Sequence, residues 1–141
     1  MAVHFSEPEL AGRRAKACKA MQAQGLDGML MFRQESMYYL TGYDSFGYVF
    51  FQCLYLGAGG EFFLMTRVPD LLQAQHTSDI EDIRIWVDRD GANPAVELRD
   101  HLAGFNCKGK KLGVEYEAYG LTARNGKRLD AALAGFCKLE D

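Results

Sequence analysis

Apolar and polar residues alternate along this chain with two different periods. From about Glu7 to Gln24, Ala11, Ala15, Cys18 and Met21 or Gln22 recur at helical spacing. Ser6 followed by Glu9 is a capping-box pattern, Pro8 falls in the first turn, and Gly25 supplies a stop. Met29-Leu30-Met31-Phe32 is a short continuous apolar run, as expected of a strand covered on both faces. Ser36 is placed to cap a short helical turn through Leu40 that Gly42 ends. A run from Tyr48 to Leu56, rich in aromatics and valine, predicts a strand. Gly57-Ala58-Gly59-Gly60 then turns the chain into a return strand from Glu61 to Thr66, forming one hairpin.

Beyond the hairpin, helix and strand alternate. Pro69 opens a helix carrying Leu71, Leu72 and Ala74, and Ile83 to Val87 alternates as a strand. Asn93-Pro94 pairs a cap with a first-turn proline for a helix to about Ala103. Leu112-Gly113-Val114 is a short strand, Thr122 caps a helix through Leu129 and Leu133 to Gly135, and Phe136 to Leu139 forms a last strand. This order predicts an α/β protein: a three-layer α/β/α sandwich around a mixed, about six-stranded sheet. Strands joined through helices are expected to be mainly parallel, and the hairpin antiparallel. With no interior linker, residues 1–141 form a single domain, and the stop at Asp141 just after the last strand suits a domain boundary.

Composition narrows the partners. The formal net charge of -3 sets nucleic acid and anionic membranes aside. No stretch approaches the ~20 apolar residues of a membrane span, and Met1 to Glu9 lack a secretory pattern, so a cytoplasmic setting is expected. Cys18, Cys53, Cys107 and Cys137 form no C-x-x-C pair and sit among apolar or helix-forming neighbours, which favours free thiols over disulfides or a zinc site.

Candidate chemistry is sparse. The Gly57–Gly60 run leads into a strand rather than the helix a phosphate loop needs. Gly109-Lys110-Lys111 lacks the remainder of a nucleotide loop. Around Trp86, Asp79, Glu81, Asp82, Asp88 and Asp90 miss the register of a calcium loop and read as a solvated edge. His4, His76 and His101 are far apart, the latter two among polar neighbours on helices, and no serine lies in a G-x-S-x-G elbow. No catalytic and no metal-ligating residue is assigned.

The unusual segment is Glu35 to Phe51, which holds Tyr38, Tyr39, Tyr43, Phe46, Tyr48, Phe50 and Phe51. Phe50 and Phe51 fall in the expected strand and read as core. Tyr43, Phe46 and Tyr48 flank Gly42 and Gly47 on an expected loop, where aromatic groups shape a pocket rim or an interface, or pack locally.

These residues also carry a resemblance. Gly25-Leu26-Asp27-Gly28-Met29-Leu30, the stretch Glu35-Ser36-Met37-Tyr38-Tyr39-Leu40-Thr41-Gly42-Tyr43, Leu64-Met65-Thr66-Arg67-Val68-Pro69-Asp70, and Leu112-Gly113-Val114-Glu115 follow in the order seen in a known family. The chain resembles the amino-terminal domain of creatinases, prolidases and Xaa-Pro aminopeptidases over nearly its whole length. The resemblance implies a six-stranded mixed sheet preceding a carboxy-terminal catalytic domain that is absent here. In the peptidases that domain binds a pair of divalent metal ions, such as manganese, through two Asp, one His and two Glu; creatinase works without metal. No cofactor is implied for this domain itself. Its implied partners are its own catalytic domain and a second subunit in a homodimer, with the loop after Thr41-Gly42 helping to close the partner's site. Tyr43, Asp44, Phe46 and Tyr48 are the substrate-facing or interface candidates on this match. Creatinases hold the substrate carboxylate with an arginine from this region, and no arginine lies between Arg33 and Arg67 here, which weakens creatine as a substrate. The resemblance points to a proline dipeptidase-like enzyme or a related C–N hydrolase. A free-standing module that binds a small ligand or a protein through the aromatic loop is the alternative.

Overall fold

A computed structural model describes residues 3–141; Met1 and Ala2, the start of the leader reading, lie outside it. The elements are α1 (Glu7–Ala23), β1 (Gly28–Met31), α2 (Gln34–Thr41), β2 (Cys53–Gly57), β3 (Phe62–Arg67), a 3-10 turn (Val68–Asp70), α3 (Leu71–Thr77), β4 (Ile83–Trp86), α4 (Pro94–Gly104), β5 (Lys111–Val114), α5 (Ala123–Leu133) and β6 (Lys138–Glu140). The strands form one mixed sheet in the order β4-β3-β2-β1-β5-β6. The expected α/β sandwich is thus present.

The continuous apolar runs conceal a period of two. Leu30, Phe32, Cys53, Tyr55, Phe63, Met65, Leu112 and Val114 face one side, where they pack with Leu98 and Leu102 of α4 and Leu129 and Leu133 of α5. Met31, Leu54, Leu56 and Leu64 face the other, against Cys18 and Met21 of α1, Met37 and Leu40 of α2, and Ala74 of α3. Each face has its own helices, so every strand position can be apolar.

Several local expectations need correction. Ser6 caps α1 by accepting from the Glu9 N–H, but the buried stripe is Leu10, Cys18 and Met21, while Ala11 and Ala15 are exposed. Arg13 and Arg14 turn the helix: their guanidinium groups donate to the carbonyls of Tyr39 and Leu40 at 3.0 and 2.8 Å. Arg14 also pairs with Asp79 at 2.8 Å, so Asp79 is half-buried and not part of a solvated edge. The β1–β2 pair is antiparallel although α2 joins the two strands, because α2 and the segment after it return the chain to the carboxyl end of β1, where β2 begins with Leu54 opposite Met31. The β3–β4, β1–β5 and β5–β6 pairs are parallel. Among the described residues no helix is long and apolar enough to cross a membrane.

Candidate functional site

β1 and β5 lie side by side and parallel, with Leu30 opposite Val114. The chain leaves β1 for α2 on one face and leaves β5 for α5 on the other. This divergence opens a crevice beyond the carboxyl ends of the two strands, the usual place for a ligand in an open α/β sheet. The crevice measures about 570 Å³ and is walled by Arg33, Gln34 and Glu35 from the start of α2, by Tyr48, and by residues 116–119 after β5. A second trough of about 540 Å³ on the α1 side shares Arg33, Tyr116 and Glu117.

Glu115 locks the floor. One carboxylate oxygen accepts from the Phe32 and Arg33 N–H groups at 3.2 Å each, and the other accepts from the Ser36 hydroxyl at 2.6 Å. The carboxylate thereby satisfies orphan donors at the start of α2 and complements the helix dipole. Ser36 does not cap α2 as expected; Arg33 occupies the cap position with no side-chain bond, and Ser36 sits a turn further on, turned toward Glu115.

The aromatic loop is anchored from beneath. Gly42 ends α2 in the left-handed conformation at φ 81°. Tyr43, expected on an exposed loop, is 0% exposed. Its hydroxyl donates to Gln52 at 2.9 Å, the same oxygen that accepts from Thr66 at 3.1 Å. The Gln52 amide donates to Ser45 Oγ, which also accepts from the Gly47 N–H at 2.9 Å. Gln34 reaches the Ser45 carbonyl at 2.8 Å, and the half-buried Asp44 donates its N–H to Thr77. From this anchor Phe46 projects outward at 84% exposure.

Residues 48–52 are loop, not the start of a strand. A turn closes with the Phe50 N–H on the Gly47 carbonyl at 3.0 Å, and β2 begins only at Cys53. The loop lies against residues 118–121: a Cβ on Gly120 would stand 2.4 Å from the Phe50 carbonyl oxygen. Phe50 is not core but half-exposed, with the Arg67 guanidinium 3.5 Å from its ring centre. Tyr48 meets Tyr119 edge to face at 6.2 Å.

Of the four sequence candidates, Phe46 and Tyr48 reach the surface, Asp44 is half-buried and Tyr43 is core. Tyr48 reaches the crevice; Asp44 and Phe46 stand apart from it. The anchoring Ser45 and Gln52, and Tyr116 and Tyr119 on the far wall, were not singled out from the sequence. Gln52 carried a signal, a lone polar residue between Phe51 and Cys53.

The reactive groups are quiet. Burial raises the thiols of Cys18, Cys53 and Cys107, with nearby carboxylates adding to the effect, and pushes Cys137 up to about 11. None is poised as a thiolate near neutral pH. His101, expected on the surface, is half-buried; desolvation first and Arg84 second lower its pKa. Among the described residues no group of three or more His, Cys, Asp or Glu could hold a metal ion, so the side chains present do not fit a metal pair.

Residues 13–141 match the Creatinase/Prolidase N-terminal domain family. The chain belongs to that family. It is 33% identical over 101 residues to the ectoine hydrolase of Halomonas elongata, a match spanning 70% of this chain and 25% of that protein. It is 29% identical over 138 residues to an uncharacterised hydrolase/peptidase of Sinorhizobium fredii, covering 93% of this chain and 35% of the relative. The chain thus spans about a quarter to a third of the length of these curated relatives. In structure it is similar to the Creatinase/Prolidase N-terminal domain of an Xaa-Pro dipeptidase from Streptococcus pyogenes, with a TM-score of 0.70 at 14% identity over 92% of this chain and 93% of that one. At that identity the likeness speaks to the fold alone, and it does so across the whole sandwich.

Proposed function

We propose that this chain is the non-catalytic amino-terminal domain of an Xaa-Pro dipeptidase-like hydrolase. In this reading it shapes the active site of a catalytic domain outside residues 1–141, in a cytoplasmic homodimer. The single observation that carries the reading is the aromatic lip: Phe46 stands almost fully exposed on a backbone that buried Tyr43, Ser45 and Gln52 hold rigid. A large apolar side chain held out in water at no gain to its own fold is suited to covering a neighbouring site. Family membership supports the domain assignment. A divalent metal pair would belong to the catalytic domain outside residues 1–141, and would there supply Lewis-acid and water-activating chemistry.

The test has two parts. The chain alone, given manganese and an Xaa-Pro dipeptide, is expected to show no turnover; hydrolysis above background by pure material would falsify the non-catalytic reading. In the full-length protein, Phe46→Ser is expected to raise KM for the dipeptide several-fold or weaken the dimer, and no change in either removes the lip from the site.

The likeness to ectoine hydrolase favours a second reading, a C–N hydrolase acting on small cyclic amino-acid derivatives. Parallel assays of the full-length protein on an Xaa-Pro dipeptide and on ectoine separate the two by their kcat/KM ratio.

A further inference from the structure

We infer that the crevice between β1 and β5 is a binding site for a compact organic cation, an alkylated ammonium group, held by an aromatic corner. Tyr48 and Tyr119 both line the crevice, with ring centres 6.2 Å apart and planes 70° from parallel. In an edge-to-face pair the edge of one ring meets the face of the other, and the ring face left open is negative and attracts a bound charge. Tyr116 forms a third wall, its hydroxyl donating to Asp130 at 2.6 Å so that the ring is fixed. The corner is built, not frayed: Gly120 lets the carbonyls of Tyr48 and Phe50 close onto the segment that carries Tyr119.

The charges at the rim agree. Arg33 and Glu35 lie 3.9 Å apart and offset one another. Glu117 lines the same crevice and, among the described residues, forms no ion pair, so its carboxylate adds uncompensated negative charge there. Other aromatic faces of the domain carry the protein's own arginines: Arg13 over Phe5 and Tyr39, Arg14 over Phe62, Arg67 over Phe50, and Arg84 over Phe63 and Phe105. Among the described residues no internal cation stacks on Tyr48, Tyr116 or Tyr119, and the crevice leaves room for one from outside. Alkylated ammonium suits the corner best, because its diffuse charge is cheap to desolvate against aromatic faces. The site lies within this chain and does not depend on a catalytic domain.

The experiment is a titration of the 141-residue chain with choline, and separately with its neutral carbon isostere 3,3-dimethylbutan-1-ol, followed by amide NMR shifts. Choline is expected to give saturable shifts confined to residues 33–35, 48 and 116–119, with the isostere at least tenfold weaker. Equal affinity for the isostere, or no saturable choline shift, overturns the proposal. Tyr119→Leu keeps apolar bulk but removes the π face; at 82% exposure the substitution leaves the fold intact. It is expected to weaken choline at least fivefold, whereas Leu72→Ala on exposed α3 leaves it unchanged. Full affinity in Tyr119→Leu also overturns the assignment.

Discussion

Ser36 and Glu115, 79 positions apart, meet at 2.6 Å, and this bond ties the start of α2 to the end of β5. The same carboxylate holds the Phe32 and Arg33 amides, so one side chain fixes the geometry of the crevice floor. Glu115→Gln preserves shape but loses the charge on three hydrogen bonds. A loss of about 1–3 kcal/mol is expected, read from urea unfolding midpoints. Faster amide exchange at Phe32 and Arg33 should accompany it; an unchanged midpoint would show the contact to be idle.

Tyr43 anchors the aromatic lip through Gln52. Tyr43→Phe leaves the ring in place and removes one of two donors to a buried amide oxygen, the other being Thr66. The expected cost is about 0.5–1.5 kcal/mol, with amide exchange rising in residues 45–50 while the sheet stays protected. Uniform acceleration across the sheet would mean that Tyr43 serves global packing instead.

Gly120 is a close-approach position. A methyl group there would collide with the Phe50 carbonyl at 2.4 Å and crowd the Tyr48 carbonyl at 3.1 Å. Gly120→Ala is expected to cost about 1–3 kcal/mol and to displace residues 48–50, seen as amide shift changes confined to that loop and residues 116–121. The same substitution at Gly126, whose added Cβ meets nothing within 4 Å, serves as the comparison.

His101 gives the fold a pH dependence of definite sign. Burial and Arg84 lower its folded pKa below the ordinary 6.5. Between the folded and unfolded values the unfolded chain binds more protons, so stability is complete above the unfolded pKa and declines as pH falls below it. Urea midpoints of the native chain should drop from pH 7.5 to pH 5.5 by more than those of His101→Gln. Equal drops would assign the slope to other groups.

The folding pattern was legible wherever a local rule acts alone. Ser6, Asn93 and Thr122 cap the helices expected of them, because a cap needs only the amides one turn ahead. Gly42 and Gly135 take the left-handed conformation at the ends assigned to them. The aromatic segment misled for a physical reason: Tyr48–Gln52 has strand propensity, yet the Gly47 carbonyl takes the Phe50 N–H, the Trp86 indole donates to the Phe51 carbonyl, and the backbone packs closely against Gly120. Tyr43 likewise reads as a loop residue beside Gly42, but the Gln52 and Thr66 side chains that draw it inward come from later elements.

By itself the sequence determined the helices, the hairpin, the two-faced strands and the family likeness, since periodicity, caps and motif order are properties of neighbours along the chain. Only the tertiary structure decided that β5 would lie beside β1, that Glu115 would clamp α2, and that Tyr48 would meet Tyr119. Those contacts join residues about 70 to 85 positions apart, and no local spacing encodes them. They arise when both faces of one sheet are buried together, which selects the strand order and with it the crevice.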